Sequence, residues 1–499
     1  MSFYVTTPIY YVNAAPHLGH AYTTIAADAM ARHHRQRGED VFFLTGTDEH
    51  GEPVADAAHA LGIEPQVLAD RNAERFKALP PQLGATNDFF IRTTDPQHEA
   101  RVKEVLARVR DNGFVYEGTY EGWYCPRCAD FKAENEVDDG RLCAIHHIEL
   151  TREQEDSYFF KLSAFQERLE ELYAEREDFV APRTRYNEAL SFIRSGLRDV
   201  PLTRHKLTWG VQVPWDPEHV FYVWFDALLN YYTALSYARQ DEDLTGRFWP
   251  ASYHLIGKDI LRFHAVYWPA LLMAAEIELP EHIFVHGFLL MEGEKMSKSL
   301  GNVLDPFAVI ERFGSDALRF YLLRDVPFGQ DGSVSTAAFE LRYESELANE
   351  LGNLASRTIG MLTRYRDGAV SAGELDPVLV EDFAGLPERV RAHVDSAELT
   401  LALEEIWQRV RRLNRYVEEQ APWVLAKDDG RAEELDRVLR TLAEGLRAVT
   451  VLLWPYLPNS AERLLAALGA PELSLSGAEL GAGRIERVSA IDSLFPKDL

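Results

Sequence analysis

Apolar positions follow two different periods along this chain. Up to about residue 290, short apolar runs of strand type alternate with stretches of helical spacing. Phe3 to Thr7, Val41-Phe42-Phe43-Leu44, Tyr253-His254-Leu255-Ile256 and Ile283-Phe284-Val285-His286 read as buried strands, and so does Val220-Phe221-Tyr222-Val223-Trp224-Phe225. Helical spacing fills His20–Arg37, which lacks Pro and Gly, then Glu52 to about Leu61, Glu64–Leu79, Pro96–Asn112, Asp226–Tyr237 and Ile260–Ala275. Strands alternating with helices predict an α/β class with a doubly wound parallel sheet, Rossmann-like in layout. The two halves of that domain are 1–112 and 215–290. Between them, 113–214 holds short strand-like pieces, polar turns and one helix near Ser163–Arg176, and reads as an insertion.

Beyond a loop and connecting region at 291–345, only the helical period remains. Leu347, Leu351, Leu354, Thr358, Met361 and Tyr365 form one stripe. Leu399, Leu403, Ile406, Val410, Leu413 and Val417 form a second, and Leu435, Val438, Leu442, Leu446, Val449 and Leu453 a third. Such stripes predict an antiparallel helical bundle over 346–465, followed by a loose return strand and tail at 466–499.

An apolar fraction of 46% and an aromatic fraction of 11% suit a globular protein rather than a disordered one. No apolar run reaches the roughly 20 residues of a membrane span, and no signal segment opens the chain, so a cytoplasmic, non-membrane protein is expected. The formal charge of −27 argues against indiscriminate nucleic-acid binding but leaves room for a local basic patch.

Four segments carry candidate chemistry. In His17-Leu18-Gly19-His20 two imidazoles and a glycine stand at a strand-to-helix junction, where N–H groups and the helix dipole favour phosphate. Thr45-Gly46-Thr47-Asp48-Glu49-His50-Gly51 ends a strand, so Asp48 can hold a substrate ammonium or simply cap the next helix. All three cysteines fall in one window, Cys125-x2-Cys128 and then Cys143-x2-His146, a spacing that suits two knuckles on one tetrahedral Zn²⁺ of structural kind. His147 competes with His146 for the fourth place. Lys295-Met296-Ser297-Lys298-Ser299 places two ammonium groups in a glycine-flanked loop, suited to a leaving pyrophosphate. No G-x-G-x-x-G follows a strand, which disfavours a dehydrogenase. In the bundle, Asn353 and Arg357 lie one turn apart, Arg409, Arg411, Arg412 and Arg415 crowd one helix, and Trp423 follows Pro422. By physics alone that patch reads as a solvated face with a core Trp, though it can also hold unstacked bases.

His17-Leu18-Gly19-His20 and Lys295-Met296-Ser297-Lys298-Ser299 stand in the order of the two signatures of class I aminoacyl-tRNA synthetases. With T-T-P-I-Y-Y, T-D-E-H-G, the inserted knuckle, V-W-F-D-A, I-G-K-D-I-x-x-F-H, N-L-A-S-R and A-P-W, the chain resembles the bacterial methionyl-tRNA synthetase family over its whole length. The resemblance implies a ligase that turns ATP and L-methionine into methionyl-adenylate and pyrophosphate, then loads initiator and elongator tRNA(Met). It implies ATP contacts from His17, Gly19, His20, Asp259, Lys295 and Lys298, with Mg²⁺ accompanying ATP. It implies that His17, His20, Lys295 and Lys298 are catalytic. The methionine pocket would comprise Ile9, Tyr11, Asp48, Trp224, Ala227, Tyr231, Ile260 and His264, and the anticodon contacts Asn353, Arg357 and Trp423. It thereby reverses the bland reading of the bundle.

Some relatives carry four cysteines or two zinc sites, whereas here the knuckle is one site of three cysteines, Cys125, Cys128 and Cys143, and one histidine. The chain stops at Leu499 without the dimerising domain of many relatives, so the expectation is a monomer or a trimmed chain. The leucine, isoleucine and valine members of the class need a larger editing insertion than 113–214. A cysteine enzyme would need a pocket cysteine. A synthetase-derived RNA-binding protein would be expected to lack His17, His20, Asp48 or Lys298, and all are present.

Overall fold

The structure, a computed structural model, describes residues 2–126, 130–132, 137, 141–143, 148–291 and 304–497. Its main sheet has six strands, all parallel: β1 Ser2–Tyr11, β2 Asp40–Asp48, β3 Phe89–Arg92, β4 Val180–Ala181, β5 Tyr253–Gly257 and β6 His282–His286. Their spatial order is β3-β2-β1-β5-β6-β4. The winding direction reverses between β1 and β5, which is where open α/β sheets bind ligands. β1 pairs with β5 only at Val5–Tyr253 and Thr6–His254, and its register on β2 shifts between Thr6 and Ile9. Pro8, which has no N–H, sits in that shift, and there β1 leaves β5 and the cleft opens.

Helix α1, Leu18–Gln36, follows β1 and is buried along almost its whole length. Helices α2 (Glu52–Leu61) and α3 (Pro96–Asp111) follow β2 and β3. The apolar run at 220–225 departs from expectation. Its strand, Asp216–Phe221, lies in a separate antiparallel three-stranded sheet, and helix α4 occupies Val223–Leu228. Every residue of α4 is buried, so its sequence has no polar face to betray a helical period. The insertion contains a second helix, Arg183–Arg194, beside the expected one at Gln166–Glu175. It also lends β4 to the main sheet, where Ile283 pairs with Val180. A four-stranded antiparallel sheet, with Val115–Cys125 against Thr151–Phe160, makes up much of the rest.

Helix α5, Ser315–Asp325, leads into the helical region: α6 Asn353–Arg366, α7 Leu386–Asp395, α8 Leu399–Gln420 and α9 Ala432–Leu453. The expected stripes on α8 and α9 are buried throughout. On the first stripe Met361 and Tyr365 are only half-buried, and Ile359 and Leu362 take the core positions. The expected return strand reduces to an isolated bridge between Ala369 and Arg487. One continuous core runs from β1 and α1 through α5 into α6, α8 and α9.

Candidate active site

The carboxyl ends of β1, β2 and β5, the start of α1 and the helix α4 enclose a cleft of ≈ 340 Å³. Ile9, Tyr11, His17, Gly19, His20 and Asp48 line it from the first half of the domain. Trp224, Ala227, Tyr231, Asp259, Ile260 and His264 line it from the second. Lys295 and Lys298 lie outside the described residues.

His17 is the N-cap of α1, so the helix opens within His17-Leu18-Gly19-His20, as the sequence predicts. The Gly19 N–H donates to His17 Nδ1 at 3.1 Å, and the His17 N–H donates to His20 Nδ1 at 3.1 Å. The two rings stack with centroids 3.7 Å apart. This capping arrangement uses both Nδ1 atoms as acceptors, so each neutral ring carries its proton on Nε2. Burial and the neighbouring His17 hold His20 well below the ordinary imidazole range. The result is two neutral imidazoles bearing N–H donors at a helix N-terminus. Tyr10, which sequence reasoning passed over, packs its ring 4.5 Å from that of His20. Its hydroxyl meets Thr24 Oγ1 at 2.9 Å.

At the other end of the cleft, Asp48 stands opposite Tyr11 in the β1–β2 register. It is 2% exposed, and its Oδ1 accepts no hydrogen bond. It is not a helix cap, because Gly51, at φ 92°, occupies the N-cap of α2. Burial first, then the nearby Asp226 and Glu49, raise its carboxyl well above the usual range. A buried acceptor without a partner is costly and favours a cationic donor from outside.

The pocket between these ends is aromatic. Trp224 stacks on Phe263 at 3.8 Å and 9°, and Tyr11 meets Trp224 edge-on at 6.1 Å. His264 Nδ1 lies 3.0 Å from the Ile260 carbonyl and donates to it, so its Nε2 accepts from the Tyr231 hydroxyl at 2.8 Å. Burial lowers His264 to about 4, so this ring is neutral. Asp259 follows β5 at the cleft mouth, and the ring of Phe288, also unforeseen, joins the lining there.

Cys125 ends its strand, and Cys143 bridges Val137; both are buried in one small cluster with Leu150. Cysteine sulfur is a ligand type that zinc takes in structural sites. Cys128, His146 and His147 lie outside the described residues.

In the helical region Arg357 comes from α6, and its guanidinium lies 5.7 Å from the Trp423 ring centre while pairing with Glu418 at 2.7 Å. Ala421, in a left-handed turn at φ 41°, ends α8 and leaves Trp423 at its tip, 36% exposed. Asn353 is exposed one turn before Arg357. The α8 arginines are less available than the sequence suggests. Arg411 pairs with Glu346 at 2.8 Å, Arg412 with Asp382 at 2.6 Å, and Arg409 donates to the Asp382 carbonyl at 2.9 Å.

A family model described as tRNA synthetases class I (M) matches residues 3–141 and 139–359. The methionine–tRNA ligase of Mycobacterium bovis is 48% identical over 488 residues, 96% of this chain and 94% of that protein. That of Caldanaerobacter subterraneus subsp. tengcongensis is 44% identical over 503 residues, 99% of this chain and 79% of that one. The solved Mycobacterium tuberculosis methionyl-tRNA synthetase in complex with methionyl-adenylate matches at TM-score 0.95 and 46% identity, over 99% of this chain and 100% of that one. Its apo form matches at TM-score 0.87 and 42% identity, over 100% and 98% of the two chains.

Proposed function

The chain belongs to the methionyl-tRNA synthetases of class I, and on that premise we propose that the cleft between β1 and β5 is where methionine and ATP react. The enzyme is a methionine–tRNA ligase. The methionine carboxylate attacks the α-phosphorus of ATP in line, and pyrophosphate leaves. The terminal ribose hydroxyl of tRNA(Met) then attacks the carbonyl carbon of methionyl-adenylate, and AMP leaves.

The observation that carries the site reading is the orphaned, buried Oδ1 of Asp48 at one end of a cleft whose other end is the His17–His20 helix start. Asp48 takes the methionine ammonium. The thioether extends among Tyr11, Trp224, Ala227, Tyr231 and His264; an unbranched, polarisable chain suits aromatic walls. Carboxylate and nucleotide thus meet in fixed positions, where orientation contributes much of the rate. His17 and His20 give Nε2–H donors to the phosphates as charge moves onto the leaving oxygens. Gly19, lacking a side chain, admits the adenine, and Asp259 holds the ribose. Lys295 and Lys298 bring positive charge to the departing pyrophosphate, and Mg²⁺ accompanies ATP. Asn353, Arg357 and Trp423 contact the CAU anticodon.

Cys125, Cys128 and Cys143, with His146 or His147, would hold one Zn²⁺, whose role there would be to stiffen the insertion. Metal analysis of active protein should give about one zinc per chain, and none would remove this assignment. No described helix is long and apolar enough to cross a membrane.

Amino-acid-dependent ATP–pyrophosphate exchange, run with all twenty amino acids, tests the assignment. Exchange with methionine is expected. Exchange with leucine or cysteine in its place would overturn the specificity, and exchange with none would favour a binding protein.

A further inference from the structure

The ammonium end of the cleft rests on a second carboxylate that the reaction above does not use. Asp226 is fully buried on α4, between the pocket residues Trp224 and Ala227. Both of its oxygens meet imidazoles, Oδ2 with His50 Nδ1 at 2.7 Å and Oδ1 with His98 Nε2 at 2.8 Å. His50 lies two residues past Asp48 on the same turn, and its backbone N–H acts on the Asp48 carboxyl, opposing the rise that burial causes. His98, in the first turn of α3, is itself fully buried, with Nδ1 2.7 Å from Thr233 Oγ1. Three elements far apart in sequence thus converge behind Asp48.

The charges around this cluster are few. Glu49 faces Asp48, but Arg92 pairs with its two oxygens at 2.8 Å each, and Thr47 and Thr94 donate to it as well. Tyr11 and Tyr231 are the other titratable groups that face Asp48. On the far side of His50, Glu99 Oε1 is 3.9 Å from Nε2, and the Trp209 ring lies 5.3 Å away. Among the described residues, His50 and His98 are the groups that offset the charge of Asp226. Burial would push Asp226 up, but these two rings hold it down at about 2. Burial lowers His50, and Asp226 more than reverses that. An ionised Asp226 beside Asp48 makes a second buried negative charge unfavourable until a cation arrives.

We propose that Asp226 is a positioning residue for methionine: through His50 it fixes the turn that carries Asp48, and its charge makes the substrate ammonium enter with release of a proton from Asp48. In the empty site, burial and the charge of Asp226 favour the protonated form of Asp48, while Asp226, 2.7 Å from His50 Nδ1, favours the charged form of that ring. When the ammonium binds, the Asp48 O–H bond breaks, the proton passes to solvent, and the carboxylate that remains pairs with the ammonium. Charge and atoms balance, with up to about one proton released per methionine. The proposal rests on the reading that Asp48 takes the ammonium.

Calorimetric titration of the full chain with methionine tests it, in two buffers of equal pH and unequal ionisation enthalpy. The buffer dependence of the heat counts the protons. The unaltered protein should release a substantial fraction of a proton, and no buffer dependence overturns the proposal without any variant. Asp226→Asn keeps the shape and removes the charge. It should cut the proton count and raise the exchange KM for methionine roughly tenfold, with the KM for ATP unchanged. His50→Gln keeps a donor for Asp226 and removes a positive charge, so it should raise the proton count. A merely structural role would weaken binding in both variants without moving the count in opposite directions, and that result overturns the proposal. Asp48→Asn separates the two layers. If it abolishes proton release while Asp226→Asn changes nothing, this inference alone fails. If Asp48→Asn leaves both affinity and proton count intact, the ammonium reading itself fails.

Discussion

A methyl group on residue 19 would stand 3.0 Å from Cε1 and 3.2 Å from Nδ1 of His17. Gly19→Ala must therefore tilt that ring or lengthen the bond by which the Gly19 N–H orients it. The helix itself prefers alanine, so stability should hold or rise slightly. Exchange should fall by roughly tenfold to a hundredfold, because small misplacements of reacting groups cost that much. An unchanged rate with an unchanged melting temperature would show that His17 need not hold its present orientation. At this scale the sequence is a good guide where function and fold share one segment. His17, Gly19 and His20 fall in one four-residue stretch, and their chemistry follows from a strand running into a helix. Asp226 is different. It lies 176 residues from His50, and nothing local to either residue marks the other.

Helix α1 is fixed along its length by groups drawn from elsewhere in the chain. Asp28 bonds Arg32 at 2.7 Å and Arg319 of α5 at 2.8 Å, and its Oδ1 accepts from both the N–H and the hydroxyl of Thr86 at 2.7 Å. Arg319, itself fully buried, also donates to the carbonyls of Leu83, Pro455 and Tyr456. Arg319→Met leaves Asp28 half-paired and should cost about 3–5 kcal/mol, read by urea unfolding. Burial pushes Asp28 up, but Arg319 and Arg32 outweigh it and hold it below its ordinary 3.8. A depressed carboxyl stabilises above its unfolded value and loses that contribution as pH falls through the folded one. The gap between parent and variant should thus be full at neutral pH and narrow below 3.8. A constant gap would show that the pair's charge plays no part. Element types were legible wherever one face stays polar, as on α8 and the first half of α9. They were not legible at α4, where Val223-Trp224-Phe225 is helical but buried all round.

Across the whole molecule, one core joins the catalytic sheet to the helices that carry Arg357 and Trp423. Trp423 and Arg357 lie outside the lining of the cleft, so their removal should leave the first reaction alone. Trp423→Ala should preserve exchange and weaken tRNA aminoacylation by the roughly 1–3 kcal/mol that base stacking contributes. Equal loss in both assays would refute the anticodon role. The order of the chain's parts was visible in its changing hydrophobic period. The sharing of one core between them was not, because stripe-bearing helices do not declare which surface they cover.

The place of β1 in the sheet has a consequence during synthesis. Its neighbour on one side, β2, follows within the next helix and turn, but its neighbour on the other is 248 residues away. At ribosomal rates of about 5–20 residues per second, the strand that starts the cleft waits on the order of 10–50 s for β5 to be made. Through that interval the nascent chain carries an apolar strand with one open edge, a template for wrong pairing. The acidic composition, which repels neighbouring copies, is a safeguard at that stage as much as in the finished enzyme.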